Sequence, residues 1–345
     1  MPAVPFTHVL EPAKKLLKRL TVIKPKEAKL TIGLDIGASA IKVVALGQRK
    51  GSGPRPIVGQ QLVPLEAGKE IDPSDAIKMA VGAMLVPARD VNVGVSGQWV
   101  IMRIVELPTM KPDEMKQALP FEAQRYLPFD IKDVTIDGVA LGPADANKSW
   151  VLIVACKKEL LERRIDWVKR AGLQVALIDV DALALANSFL EVGNGQHPQE
   201  GTRAIVDVGA QVSNLVIVQG GTPYLVRDIP WGGEKLVRSA AEQLGADEAG
   251  VGQELSQEAL RPELLSAVKL ATEALVTELQ LSFDYFENRF GHPPEEILIS
   301  GGLSQLLSFV EALKGQLSQS VKSWTPVSGL SGQFTVAYGL ALRTD

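Results

Sequence analysis

The sequence predicts an α/β chain of two lobes, each built on the same strand–turn–strand unit. Three observations carry that prediction. An apolar run, Leu30-Thr31-Ile32-Gly33-Leu34, ends in Asp35-Ile36-Gly37-Ala38 and is followed by a second run from Ala40 to Leu46. The pattern recurs at Ala204-Ile205-Val206-Asp207-Val208-Gly209-Ala210, followed by Leu215 to Val218. Asp207 lies 172 residues after Asp35, almost half of the 345 in the chain. A third strand, Ile297 to Ser300, ends in Gly301-Gly302 and leads into a helix over Ser304 to Leu313.

The chemistry of these turns is specific. A strand ending in aspartate puts a carboxylate at a cleft edge, where it can hold a hydrated Mg²⁺. Gly37 and Gly209 let the backbone bend and approach a ligand closely. The N–H groups that follow can cradle phosphate oxygens. Lys42, on the returning strand, is a point charge within reach of a phosphate. One Asp-x-Gly turn is an ordinary hairpin. Two copies in matched context predict turns that face each other across a cleft. The strand into Gly301-Gly302 and a helix suits close approach to a nucleotide.

Composition agrees. Hydrophobic residues make up 46% and charged residues 22% of the chain, as in a folded globular protein. The single cysteine, Cys156, excludes an intrachain disulfide framework and reads as a buried thiol in the apolar run 150–156. His8, His197 and His292 are scattered, and no spacing suggests zinc. No stretch approaches the ~20 apolar residues of a membrane span, and no signal-peptide pattern is present. Residues 1–29 hold Lys14, Lys15, Lys18, Arg19, Lys24, Lys26 and Lys29 against Glu11 and Glu27, a net +5. With −4 for the whole chain, the remainder carries −9. The arm is either a solvated leader or a basic element that touches anionic lipid. An acidic body without an aromatic-basic patch argues against nucleic acid.

The remaining elements follow in order. Residues 30–46 and 56–65 predict three strands, and 73–85 a helix opened by Asp72 or Ser74. Val91 to Val95 is a strand, and 113–126 a helix between two proline-bearing turns. Strands near 134–141 and 150–155 precede a helix over 159–171, closed by Gly172. Leu177 to Val180 leads into a helix over 182–190. The polar loop 193–201 marks the boundary between lobes. A long helix over 263–289 carries the stripe Val268, Ala271, Leu275, Leu279, Phe283, Phe286.

Taken with the two Asp-x-Gly turns, Gly301-Gly302 resembles the adenosine segment of the actin-like ATPases, whose lobes are ribonuclease-H-like. The segment Val95-Ser96-Gly97, Leu107-Pro108-Thr109-Met110 and Phe121-Glu122-Ala123 with Arg125-Tyr126-Leu127-Pro128-Phe129 narrows the resemblance. It is similar to the PilM family of type IV pilus assembly, relatives of FtsA, over about residues 24–343. The resemblance implies a two-lobed actin-like fold with an inserted subdomain, 1C, at 98–149. It implies a first lobe (1A) from 30–97, 150–200 and 321–345. The second lobe would be 2A, from 201–230 and 293–320, with 2B at 231–292. Phe121, Tyr126 and Phe129 are expected as core anchors of the insert. Residues 178–186 and 334–343 resemble the two interlobe connecting segments, with Ala182 and Ala186, and Ala337 and Ala341, one turn apart. These small residues are expected to let crossing helices hinge closely. Gly232 and Gly233 resemble the Gly-Gly loop that enters 2B.

The resemblance further implies ATP or ADP with Mg²⁺ between the lobes. Asp35 and Asp207 would hold the metal shell. Gly37, Ala38, Ser39 and Lys42 would face the phosphates from one side, and Gly209, Ala210 and Ser213 from the other. Gly301 and Gly302 would lie near the adenosine. The implied partner is the N-terminal cytoplasmic peptide of a PilN-like membrane protein, in a groove between 1A and 1C. That groove would be bordered by the 113–126 helix and strands near 91–105. The setting would be an inner-membrane pilus assembly subcomplex at the cytoplasmic face, and self-association stays open.

Several positions depart from the family pattern. Ala38 stands where a Ser or Thr is common, Ser213 where Thr is usual, and residues 249–255 carry two glycines in place of a charged ribose-binding helix. These departures predict very slow hydrolysis. The alternatives are a sugar- or acetate-type kinase, with Asp179 or Asp181 as candidate base, an FtsA-like polymerising scaffold, and the cytoplasmic part of a type II secretion protein.

Overall fold

The computed structural model describes residues 30–49, 53–65, 71–193, 201–257 and 259–344. The basic arm at 1–29 and most of the polar loop at 193–201 lie outside those residues. The first half holds β1 (Leu30–Ile36), β2 (Ala40–Gly47), β3 (Ile57–Pro64), α1 (Pro73–Ala83), β4 (Asp90–Val95) and β5 (Val100–Pro108). There follow α2 (Pro112–Gln124), β6 (Val134–Asp145), β7 (Lys148–Lys157), α3 (Lys158–Arg170), β8 (Gln174–Val180) and α4 (Asp181–Gly193). The second half holds β9 (Thr202–Val208), β10 (Ser213–Gln219), β11 (Thr222–Ile229), α5 (Gly233–Leu244), α6 (Glu248–Leu255) and α7 (Pro262–Phe290). It closes with β12 (Glu296–Gly301), α8 (Leu307–Lys314), β13 (Ser320–Ser323) and α9 (Thr335–Leu342).

The duplication inferred from the two turns extends to whole sheets. One five-stranded sheet runs β3-β2-β1-β4-β8 and the other β11-β10-β9-β12-β13. In each, the first three strands in the chain form an antiparallel meander and the last two add in parallel. Leu30 pairs with Gly47 in one hairpin and Thr202 with Gln219 in the other, so the offset of 172 holds along the full register. The central strands are buried on both faces, as the apolar runs require: Ile32, Leu34, Val43 and Val44 are buried in lobe 1, and Ile205, Val206, Leu215 and Val216 in lobe 2. Because β13 pairs with β12, lobe 2 continues through Ser323 rather than ending at 320.

Two helices cross between the sheets. α4 leaves β8 of lobe 1 and packs on β9, β10 and β11 of lobe 2, while α9 follows the last strand of lobe 2 and packs on β1, β2 and β4. They touch each other on the way, but not through the paired alanines. A Cβ on Gly339 would stand 1.8 Å from the Ala184 carbonyl oxygen, so Gly339 makes the close crossing. Ala337 and Ala341 instead seat α9 on the sheet: a Cβ on Gly33 of β1 would lie 2.0 Å from the Ala337 oxygen and 2.5 Å from the Ala341 nitrogen. The spacing of the alanines was legible; the glycines decided which surface each helix face met.

The insert is a three-stranded sheet, β5-β7-β6, covered by α2. It runs through Lys157 rather than 149, because β7 pairs along its length with both β5 and β6. Met115, Leu119 and Ala123 stand at successive i, i+4 positions and form the buried face of α2, packed on Val105, Leu107, Val151 and Ile153. Phe121 falls on the opposite face and is 75% exposed, and Tyr126 is 38% exposed. The expectation that these two anchor the core is corrected: the stripe excludes them. Phe129 is half-buried, with the Lys157 ammonium 4.5 Å from its ring centre. In lobe 2 the long-helix stripe is buried as expected. α6 forms despite its two glycines, because Asp247 caps it by accepting from the Gly250 N–H at 2.7 Å.

Candidate functional site

The two Asp-x-Gly turns have the same backbone. Gly37 N–H donates to Ala40 O and Gly209 N–H to Val212 O, each at 3.1 Å. A Cβ would meet those same carbonyls at 3.0 Å and 2.9 Å, so both glycines are demanded by a tight turn. Asp35 and Lys42 stand opposite each other across β1 and β2, and Lys42 Nζ donates to Asp35 Oδ2 at 2.8 Å. In lobe 2 the position opposite Asp207 is Asn214. Its Nδ2 is turned to Asp228 Oδ1 at 2.7 Å.

Asp207 is therefore buried without a cation of its own, and its Oδ1 has no hydrogen-bond partner. Burial pushes its pKa up to about 7; Lys42 opposes the rise and the Asp35 charge adds to it. Asp181, at the first position of α4, is raised by burial and by Asp35, and its Oδ1 is also buried and unpartnered. Burial alone would lower the Lys42 pKa; the carboxylates of Asp35, Asp207 and Asp181 outweigh it and hold it raised. These mutual effects place both turns around one acidic space with Lys42 inside it. Asp179, the other aspartate considered near the hinge, is committed elsewhere: Arg343 pairs with its Oδ2 at 3.1 Å and the Val180 N–H donates to its Oδ1.

The other expected residues divide. Ala38 and Ser39 are exposed at the tip of the first turn, and Ala210 is partly exposed at the second. Gly232 and Gly233 dock on that second turn: Gly233 N–H donates to Gly209 O and Glu234 N–H to Ala210 O, both at 2.9 Å. A Cβ on Gly232 would lie 2.4 Å from Ala210 O, so only glycine permits this seat. Ser213 is fully buried and its Oγ donates to Trp231 O at 2.7 Å, so its hydroxyl fastens the Gly-Gly loop rather than facing the cleft. Gly301, with φ of 84°, closes on Val208, where a Cβ would stand 2.4 Å from the carbonyl oxygen. Gly302 is exposed, with open space where a Cβ would be.

Three features escaped sequence reasoning. Ser96-Gly97 directly follows β4, as Ser300-Gly301 ends β12, and Gly97 also has positive φ, 91°. The repeated Ser-Gly after an apolar strand was a usable signal. Asp228 of β11 accepts from Gly97 N–H at 2.6 Å and so bridges the lobes. Beside that bridge, cavities of about 270 and 440 Å³ run between β5 and β11, so insert and lobe 2 meet across open space. Arg164 of α3 reaches the first turn, where its Nη1 donates to Ile36 O at 2.8 Å.

A Mg²⁺–nucleotide fits this chemistry. Asp207 and Asp181 each keep a buried carboxylate oxygen without a hydrogen-bond partner, and both act electrostatically on Lys42 beside the first turn. Among the described residues no group of three or more acidic, His or Cys side chains makes a ready ligand set. A metal here would thus take most of its ligands from phosphate and water, as Mg²⁺ prefers.

Two sheets of one topology, joined by crossing helices around a cleft, define an actin-like protein. A protein with actin-like ATPase fold from Bacteroides thetaiotaomicron superposes with TM-score 0.50 at 10% identity, covering 94% of this chain and all of that one. The ethanolamine utilization protein EutJ from Carboxydothermus hydrogenoformans gives 0.55 at 14%, with 96% and 97% covered. A PilM–PilN type IV pilus biogenesis complex contains a chain matched at TM-score 0.79 and 23% identity, with 92% of this chain and 98% of that chain covered. The family of type IV pilus assembly protein PilM matches residues 33–345, and the chain belongs to it. The kinase and FtsA-like alternatives are not favoured by these matches.

Proposed function

We propose that this chain is a nucleotide-binding adaptor of a type IV pilus inner-membrane assembly complex. The observation that carries the reading is the PilM family match over 33–345, in a chain whose paired turns surround orphaned carboxylates. ATP or ADP with Mg²⁺ occupies the cleft. Asp35 and Asp207 hold the hydrated metal, the 37–39 and 209–210 backbones and Lys42 hold phosphates, and Gly301-Gly302 lies beside the adenosine. Mg²⁺ supplies charge neutralisation there; the chain's own residues bind and orient. Ala38 stands where a Ser or Thr hydroxyl is common and residues 249–252 carry two glycines, so turnover is expected well below the ~10 s⁻¹ median of enzymes.

The partner is the N-terminal cytoplasmic peptide of a PilN-like membrane protein, docked where lobe 1 meets the insert. Trp99, Phe129 and Trp167 provide partly buried apolar surface at that junction, suited to an extended peptide's alternate side chains. No helix among the described residues is long and apolar enough to cross a membrane. Binding such a peptide places the chain at the cytoplasmic face, with the basic arm at 14–29 adding roughly 1 kcal/mol per basic residue near anionic lipid.

Calorimetry tests the cleft: ATP with Mg²⁺ binds wild type and fails to bind Asp35→Ala. Equal heats from both disprove the cleft assignment. Fluorescence anisotropy with a labelled N-terminal cytoplasmic peptide of a PilN-like membrane protein tests the partner. Trp99→Ala is expected to weaken that peptide at least tenfold, and a peptide that binds both proteins equally lies elsewhere.

A further inference from the structure

Helix α3 carries Leu160, Arg164 and Val168 at successive i, i+4 positions. Leu160 and Val168 are buried, so Arg164 sits in the middle of a core-facing stripe. A guanidinium in such a position is costly unless it is bonded. Its Nη1 donates to the carbonyl of Ile36, the residue between Asp35 and Gly37 in the first turn. Its Nε is buried with no partner, and the charges of Asp181 and Asp35 act on it from the cleft. Arg164 therefore touches the turn without belonging to it.

The neighbouring side chains lead outward. The Trp167 ring takes the Arg164 guanidinium at 5.3 Å and the Arg163 guanidinium at 5.7 Å. Arg163, exposed, also lies 5.0 Å from the Trp99 ring. Trp99 takes the Lys157 ammonium at 5.4 Å, and the Lys157 N–H donates to Trp99 O at 3.0 Å. The same ammonium covers Phe129. Trp99 precedes β5 and Lys157 ends β7, so this pair is where the insert's two connections to lobe 1 meet. The cation–aromatic series thus runs unbroken from the Ile36 carbonyl to the root of the insert. Each contact is a cation–π pair or a hydrogen bond, both short-ranged.

We propose that Arg164 is the positioning residue that ties the first Asp-x-Gly turn to the root of the insert, so that nucleotide in the cleft and a peptide at the 1A/1C junction are coupled through one turn of α3. The proposal rests on the nucleotide reading of the cleft given above. Occupancy of the turn shifts the Ile36 carbonyl, Arg164 follows it, and the cation–π contacts through Trp167 and Arg163 carry the shift to Trp99 and Lys157. A physical coupling requires one element that both sites bias, and α3 is the element that touches both ends.

Hydrogen–deuterium exchange of the full chain, with and without ATP and Mg²⁺, tests this. In wild type ATP is expected to slow exchange at 35–42 and 207–213 and to change it at least twofold at 97–101 and 126–133. Arg164→Gln is expected to keep the response in the turns and lose it at the insert root, and Arg164→Lys, which keeps charge but not the planar fork, to restore it only in part. Arg163→Ala, an exposed change on the same turn, supplies a second break in the series should Arg164→Gln not fold. A wild-type insert root that ignores bound ATP overturns the proposal, as does an undiminished root response in Arg164→Gln or Arg163→Ala. If wild type binds no ATP by calorimetry, the cleft reading itself falls and takes the coupling with it; that outcome is distinct, because the turns then show no response either.

Discussion

The β1–β2 and β9–β10 hairpins share a backbone and differ in charge. Their registers superpose at one offset, and their glycines close the turn with the same hydrogen bond. At the position facing the aspartate, lobe 1 has Lys42 and lobe 2 has Asn214. The first carboxylate is thereby neutralised within its own hairpin. The second is left to burial, with a raised pKa and an unsatisfied oxygen. The difference shows how a duplicated scaffold acquires a direction: the backbone is common to both turns while the charge diverges, so that one lysine acts on the aspartates of both sides.

From that asymmetry, Asp207 is expected to have the largest effect. Its folded-state pKa is raised from 3.8 to about 7, so the folded protein holds this proton more tightly than the unfolded chain. Its contribution is most favourable below pH 4, is lost as pH rises from about 4 to 7, and is flat above. Asp207→Asn is expected to remove that fall and to be more stable than wild type at pH 8, by up to ~4 kcal/mol, with little difference at pH 4. Urea melts at the two pH values decide it, and a variant destabilised at pH 8 would show that Asp207 is satisfied in the fold. Added Mg²⁺ and ATP should raise the wild-type melting temperature more at pH 8 than at pH 5, since under the proposed function it is ionised Asp207 that would hold the metal.

Lys42→Met comes next. It strands the Asp35 carboxylate, at a cost of about 3 kcal/mol by the usual penalty for breaking a largely buried pair. Asn214→Met, its counterpart, is expected to cost about 1–2 kcal/mol through the lost bond to Asp228. Equal losses from the two would erase the distinction between the hairpins. Backbone changes should behave oppositely. Gly37→Ala and Gly209→Ala meet the same carbonyl at nearly the same distance and should each cost about 1–3 kcal/mol, matched to within measurement. A large inequality would mean that the turns are not equivalent. The smallest effect is expected outside the hairpins. Phe121→Ala, on the open face of α2, should change stability by less than about 0.5 kcal/mol; a larger loss would restore Phe121 to the core.

Much of this site was legible because its signals are local. An apolar strand, an Asp-x-Gly turn and a returning strand occupy few consecutive residues, and the same few recur. The stripe of α7 was readable for the same reason. The aromatic string at 121–129 misled because composition does not say which face of a helix is inward; Met115, Leu119 and Ala123 claim that face. Arg164 was missed although Leu160 and Val168 bracket it, since an arginine is read as solvent-facing until its burial is seen. Ser213 was assigned by position alone, and its hydroxyl turned to Trp231.

The sequence by itself determined the duplication, the two glycine turns, the order of strands and helices, and the family, all properties of spacing along the chain. Only the tertiary structure decided that Asp181 rather than Asp179 acts on Lys42, that Gly339 rather than an alanine pair makes the helix crossing, and that Asp228 spans the lobes. Each of these depends on which distant backbone arrives next to a side chain. A carboxylate becomes a ligand, a latch or half of an ion pair according to the partner that arrives, and for Asp179 that partner is Arg343, from the far end of the chain.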